Sequence, residues 1–273
     1  MENSQPTITV LMSVYNEQAV FLKKSIDSII NQSFSDFEFL IIDDGSTNQE
    51  CIMVLKEYKA KDKRINLIKN EKNSGLTKSL NKGLRVSKGK YIARIDSDDM
   101  ADTHRLKKQL YFMEKNPEYA LCGSWAHIIN EDDKIIGEKK FHTSYEKIKK
   151  NLLYFNFFTH SSLFFKKDIA LENGGYNDKI KKAQDYDLIL KISGKYPVAN
   201  IPEFLCFHRT HSESISSKGK KKQEWFAIIS RLRAIFIYRY PKTYFWKILP
   251  SFFYFLFIPH SIEELIFKLI WKK

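Results

Sequence analysis

Hydrophobic and polar positions follow two rhythms along the first hundred residues. Thr7 to Tyr15 is an apolar, β-branched run of strand length, and Leu22, Ile26, Ile29 and Ile30 then fall on one helical face. Phe37 to Ile42 reads as a second strand, ending in Asp43-Asp44-Gly45. Ile52, Leu55 and Tyr58 mark a helix, Ile65 to Ile68 a strand, Leu76, Leu80 and Leu84 another helix, and Lys90 to Ile95 a fourth strand. This βαβαβ alternation predicts an α/β fold, a mostly parallel sheet with helices on both faces. Ligands of such sheets gather beyond the carboxyl ends of the strands, and the acidic turns after Ile42 and after Ile95 both lie there.

The later half is less regular. A helix led by Leu106, Leu110 and Met113 stops before Pro117, a strand runs from Tyr119 to Ile129, and Asp132-Asp133-Lys134 reads as a hairpin turn. A stretch holding His160 and a Gly174-Gly175 break precede a helix through Leu188, Leu190 and Ile192. Ser212 to Lys222, rich in Ser and Lys, divides a catalytic region, residues 1–217, from a basic aromatic tail, residues 218–273.

Composition narrows the class. With 273 residues, 43% of them hydrophobic, the chain can fill one large α/β core and carry an appendage. Its N-terminus has no basic start followed by an apolar stretch, and Cys51, Cys122 and Cys206 sit in apolar runs as packing residues do. Both features point to the reducing cytoplasm. The charge of +13 is unevenly placed: from Lys218 to Lys273 twelve Lys and Arg face three Glu, a net of +9. A basic tail suits nucleic acid or an anionic membrane. Trp225, Phe226, Phe236, Tyr244, Phe245, Trp246 and the run Phe252 to Ile258 carry more apolar surface than a nucleic-acid arm does, so a membrane surface is the expected partner. Ile248 to Ile258 is too short to span a bilayer and holds Pro250, whereas Ile262, Leu265, Ile266, Leu269 and Ile270 form a helical stripe. The tail is thus expected to be helical and to adsorb to the inner face of the cell membrane, the alternative being that it packs on the catalytic region.

The acids after the fourth strand bear most directly on chemistry. Asp96, Asp98 and Asp99 have no basic residue among them, and like charges so close are costly without a cation or ligand. Carboxylates suit Mg²⁺ or Mn²⁺ and leave room for phosphate oxygens. A helix cap at Asp102 or Thr103 is the plainer reading of the turn, but it accounts for one acid and not for three.

Five segments stand in a telling order: Val14-Tyr15-Asn16-Glu17, Asp43-Asp44-Gly45-Ser46-Thr47, Asn73-Ser74-Gly75-Leu76, Asp96-Ser97-Asp98-Asp99 and Gln184-Asp185-Tyr186-Asp187-Leu188. In these the chain resembles, over residues 6 to 217, the inverting family-2 glycosyltransferases of the GT-A fold, particularly bacterial ones that build surface polysaccharide or lipopolysaccharide. The resemblance implies a nucleotide-sugar-binding, Rossmann-like sheet and transfer of one sugar from a UDP-sugar to a lipid-linked or oligosaccharide acceptor. It implies that Asp44 accepts from the uracil imide, that Val14, Tyr15 and Glu17 line the base and ribose, and that Asp96 and Ser97 belong to the nucleotide-sugar site. For Val14 and Tyr15, strand-end packing is an equal alternative. Asp98, with Asp99 supporting the turn or sharing in coordination, would hold Mn²⁺ or Mg²⁺. In Phe207-His208-Arg209-Thr210-His211, His211 would close the metal site and Arg209 would lie near the phosphates. Asp185 would be the base, with Asp187 next in line. Gln184 stands where many relatives have an acid, and Ser13 where they often have proline. No Gln-x-x-Arg-Trp element of processive synthases occurs, nor a Gly-rich phosphate loop. The competing classes are a basic nucleic-acid-binding protein and a sugar nucleotidylyltransferase; the second should carry a Gly-rich N-terminal signature that this chain lacks.

Overall fold

The apolar runs of the first hundred residues become four parallel strands. In the computed structural model, which describes residues 5–211 and 220–257, β1 (Ile8–Val14), β2 (Phe37–Asp43), β3 (Ile65–Lys69) and β4 (Tyr91–Arg94) pair in the order β3-β2-β1-β4. The crossovers carry α1 (Ala19–Ile30), α2 (Gln49–Lys61) and α3 (Leu76–Val86). Every residue of β2 is buried, as in a strand covered on both faces.

The sheet then turns mixed. After β5 (Met100–Ala101) and α4 (Arg105–Lys115) come β6 (Leu121–Ile129), β7 (Ile135–Lys139), α5 (Tyr145–Asn151), a 3-10 turn at His160–Ser162, β8 (Phe164–Lys166), α6 (Lys167–Glu172), α7 (Gln184–Ser193) and β9 (Val198–Arg209). The order continues β4-β8-β6-β9-β5, with β8 antiparallel to both its neighbours and β6 parallel to β9. β7 folds back on β6 through the expected turn, where Asp133 adopts a left-handed φ of 64°.

Alternation along the strands feeds two cores. Ile8, Val10, Met12 and Val14 of β1 join Leu22 and Ile26 of α1, Leu55 of α2 and Met113 of α4 on one face. Leu11, with Leu40 and Ile42 of β2, joins Leu80 and Leu84 of α3 and Leu188 and Ile192 of α7 on the other.

The tail divides. α8 (Lys220–Phe236) packs on α7 and a 3-10 turn at Lys242–Ile248 packs on α8, and this half of the tail buries Ile228, Ala234, Ile235, Tyr238, Tyr240 and Ile248 in the same core. Approach is close enough that a Cβ at Gly194, just past α7, would lie 1.9 Å from the Tyr238 carbonyl oxygen. Arg233, which breaks the apolar face in sequence, is explained by a partner, the buried carboxylate of Asp187 at 3.4 Å. This half of the tail is therefore a layer of the protein core. α9 (Leu249–Phe257) differs: none of its residues is buried, and Leu249, Phe253, Leu256 and Phe257 are more than half exposed. The stripe from Ile262 to Ile270 lies outside the described residues. Among those described, no helix is long and apolar enough to cross a membrane.

Candidate active site

β4 delivers the acids to the carboxyl edge of the sheet, and carboxylate oxygens of Asp96, Asp98 and Asp99 lie within 4.8 Å of one another. They are not uncompensated, as their sequence context implies. Arg94 stands two residues earlier on the same side of the strand, wholly buried, and its guanidinium pairs with one oxygen of Asp96. Its Nη1 also donates to Ser161 Oγ at 3.0 Å, and that hydroxyl donates to the other Asp96 oxygen at 2.9 Å. Although burial works against ionisation, the Arg94 charge and hydrogen bond hold the Asp96 carboxyl well below the usual carboxylate range.

Asp98 has the opposite environment. Burial first, then the charges of Asp99, Asp96 and Glu17, push its pKa up to about 9. A carboxylate raised by unbalanced negative charge is one that a cation restores. His211 comes to it from beyond β9, with Nε2 3.1 Å from Asp98 Oδ2. Each Asp99 oxygen has one protein partner: Oδ1 accepts the Arg209 amide at 2.7 Å, and Oδ2 faces His208 Nδ1 at 3.3 Å. It ties β9 to the acidic turn and so supports the site, with acceptor capacity left on both oxygens for sharing in coordination. A hard-oxygen set with one imidazole fits Mn²⁺ or Mg²⁺, with Asp98 and His211 the residues placed to hold it.

Arg209 turns inward. Its side chain is fully buried against the Phe21 ring, with Nε donating to the Asp98 carbonyl at 2.8 Å, Nη1 donating to the Asn130 carbonyl at 2.8 Å, and Nη1 in an ion pair with Asp133 at 2.7 Å. It braces the backbone of the acidic turn, and its Nη2 is buried without a hydrogen-bond partner among the described residues.

The second acidic turn is organised by Asp44, which is 2% exposed. Its Oδ1 accepts from Asn70 Nδ2 and the Ser74 amide at 2.8 and 2.9 Å, and its Oδ2 from the Gly75 amide at 2.8 Å. The Asn73-Ser74-Gly75 segment is thus held by the Asp-Asp-Gly turn, where Gly45 at φ +75° passes 2.6 Å from the Lys72 backbone, measured from where a Cβ would stand. Asn16, left-handed at φ 51°, staples the first turn to the second, its Oδ1 accepting from the Thr47 and Asn48 amides at 2.7 and 2.9 Å. Val14 contributes no side chain to the site; it is fully buried in the core, and its carbonyl accepts the Asp44 amide. Tyr15 is 48% exposed at the edge, and Glu17 accepts from Ser97 Oγ at 2.8 Å, joining the first strand end to the acidic turn.

Asp185 is the second residue of α7, which follows Ala183, itself left-handed at φ 59°. Burial raises its pKa; the Tyr186 amide and the Arg94 charge lower it, and Asp96 adds to the rise. Asn156 Nδ2 donates to its Oδ2 at 3.1 Å. Nearby, His160 Nε2 meets the Tyr176 hydroxyl at 3.1 Å, and burial holds that imidazole neutral, well below its usual range. Asp187 is no alternative base: it is fully buried on the far side, facing Tyr238 Oη at 3.1 Å. Sequence reasoning missed Arg94, Ser161, Asn156 and Asn70; only Arg94, a charge inside an apolar strand and in phase with Asp96, carried a readable signal.

A frame of this kind, with acids at the ends of β2 and β4, has counterparts among known proteins. The profile of Glycosyl transferase family 2 matches residues 9–171. The chain belongs to that family. It is 37% identical over 210 residues to the O-antigen biosynthesis glycosyltransferase WbnJ of Escherichia coli, covering 76% of this chain and 81% of that protein. In fold this family-2 glycosyltransferase matches S. aureus TarS 1-349 in complex with UDP-GlcNAc, with a TM-score of 0.68 at 16% identity over 90% of this chain and 72% of that one. It also matches the mannosyltransferase PcManGT of Pyrobaculum calidifontis in complex with GDP-Man and Mn²⁺, with a TM-score of 0.69 at 16% identity over 93% and 70%. The fold is GT-A. Asp185, Arg209 and His211 lie beyond the family profile.

Proposed function

We propose that this enzyme transfers a single sugar from a UDP-sugar to a lipid-linked or oligosaccharide acceptor, with inversion, in the building of a bacterial surface polysaccharide or lipopolysaccharide. The observation that carries this reading is the pairing of two carboxylate environments that share Asp96 as a charged neighbour. Asp98 is poised for a cation, and Asp185 is poised for a proton within electrostatic reach of Asp96. Uracil recognition rests on Asp44: a carboxylate has about four acceptor sites, three are used within the protein, and one remains for an imide N–H. The O-antigen role of WbnJ and the UDP-GlcNAc held by TarS support the substrate classes.

Inversion needs one displacement. The acceptor hydroxyl loses its proton to Asp185 as its oxygen bonds the anomeric carbon, and the bond from that carbon to the diphosphate breaks on the opposite face. Asn156 fixes the carboxylate through one oxygen and leaves the other for the proton. A bound Mn²⁺ or Mg²⁺, held by Asp98 and His211, would neutralise charge on the departing nucleoside diphosphate. Arg94 and Ser161 keep Asp96 ionised and oriented, as a group that accepts ribose hydroxyls must be.

Exchange of Asp185 for Asn keeps shape and hydrogen bonding but removes the proton acceptor. Donor binding by calorimetry should persist while transfer falls at least about a hundredfold. Near-normal turnover would remove Asp185 from the base position. The exposed apolar face of α9 and the basic tail support action at the inner membrane surface, beside a lipid-linked acceptor.

A further inference from the structure

Away from the acidic turns, α5 and the 3-10 turn at Lys242–Ile248 enclose a cleft of about 630 Å³. Lys149, Lys150 and Lys247 contribute three ammonium groups to it, Tyr154, Tyr244 and Trp246 its aromatic walls, and Glu146 the one carboxylate. Lys247 is the unusual member. It is 5% exposed, its Nζ donates to the Lys150 carbonyl at 2.6 Å and lies 3.8 Å from the centre of the Tyr244 ring, and among the described residues no carboxylate pairs with it. An ammonium has three donors, so two remain after that bond. Burial, then the charge of Lys150, lowers its pKa, which an anion in the cleft would reverse.

The surroundings say what kind of anion fits. Trp246 stands against Tyr154 at the mouth, its ring centroid 6.0 Å away, and is itself 57% exposed. α9 follows at once, and its Leu249, Phe253, Leu256 and Phe257 occupy one helical face that nothing described covers. A free anion gains nothing from that shelf; an anion with an apolar body gains from both. We propose that the cleft seats the phosphate headgroup of an anionic membrane lipid while the exposed face of α9 enters the acyl boundary. This rests on, and gives a location to, the membrane-surface reading above. One segment connects the cleft to the site: Tyr154, which lines the cleft, lies two residues before Asn156, the residue bonded to Asp185.

The test uses the full chain and co-sedimentation with phosphatidylcholine vesicles, with and without phosphatidylglycerol as the anionic lipid. Parent protein should bind only the anionic vesicles. A Lys149→Ala/Lys150→Ala double variant should bind them at least about tenfold more weakly, since each lysine near an anionic leaflet is worth roughly a fivefold factor. Phe253→Ser should weaken binding too, and both variants should keep the parent's melting temperature and UDP binding. Lys59→Ala/Lys61→Ala, an equal loss of charge on exposed positions of α2, should change vesicle binding by less than about twofold. Should that pair weaken binding as much as the cleft pair, overall charge and not the cleft would be responsible. Parent-like binding by both cleft variants would overturn the site and leave membrane association standing on residues elsewhere. A parent that ignores anionic vesicles would overturn both.

Discussion

Truncating Ile228 to Ala separates a tail that belongs to the protein core from one that serves the membrane alone. Ile228 is fully exposed to neither water nor lipid: it is 0% accessible, packed in the cluster that holds Leu188, Ile192, Tyr238 and Ile248. Ile→Ala in such a place removes three side-chain carbons and leaves a space that cannot collapse, since α7 and α8 are pinned by Arg231. That guanidinium donates to Glu224 at 2.6 Å, Ser251 at 2.8 Å and the Tyr186 hydroxyl at 3.3 Å. Core truncations of this size cost about 2–5 kcal/mol, against less than about 0.5 kcal/mol for an exposed position. Taking about 3 kcal/mol, and about 2–4 °C per kcal/mol for a chain of this length, the melting temperature should fall by roughly 6–12 °C in the absence of any membrane. Thermal unfolding in detergent-free buffer, followed by far-UV circular dichroism, reads this directly. A shift under about 1 °C would refute the packing of α8 on α7. The same packing implies that cutting the chain after Ser217 uncovers α7 and destabilises the enzyme as a whole.

Other consequences follow from single residues. Arg94→Met should destabilise by about 2–3 kcal/mol in urea unfolding, less than for a wholly buried pair because Asp96 is 32% exposed on its side chain, and should weaken UDP binding; an unchanged midpoint would show the pair to be idle. Asp44→Ala frees the Asn73–Gly75 turn and removes the imide acceptor, so UDP binding should drop and discrimination against CDP relax, whereas an unchanged nucleotide preference would take Asp44 out of the base site. As the proposed base, Asp185 would act deprotonated, and its pKa is raised from 3.8, so kcat should be full at high pH and fall as pH drops through that raised pKa; an acid limb at or below 3.8 would contradict the assignment.

What the sequence made legible was what local pattern encodes. Apolar period, strand length and the position of acids at strand ends placed β1 to β4 and both acidic turns, because a doubly covered parallel sheet needs continuous apolar strands and exposes only their ends. Polar residues that act through tertiary contact were not legible. Asn156 and Asn70 reach Asp185 and Asp44 from loops, and nothing in their neighbours marks them. Val14 fulfils the strand-end-packing alternative, and Arg209 turns inward against Phe21, since proximity in a motif does not say whether a side chain turns into the core or out of it. The tail was ambiguous because an amphipathic stripe records only that one face avoids water. Gly194, small enough for Tyr238 to approach, is the residue that tells protein from lipid, and it lies outside the tail.

Metal-dependent release of UDP, measured across a panel of nucleotide sugars, bears most directly on the central claim. Parent protein with Mn²⁺ should release UDP from one UDP-sugar, chelation should abolish the release, and Asp98→Asn or His211→Ala should weaken both Mn²⁺-dependent UDP binding and turnover without lowering the melting temperature. Turnover that survives chelation, or Asp98→Asn protein that binds Mn²⁺ and UDP as the parent does, would contradict it.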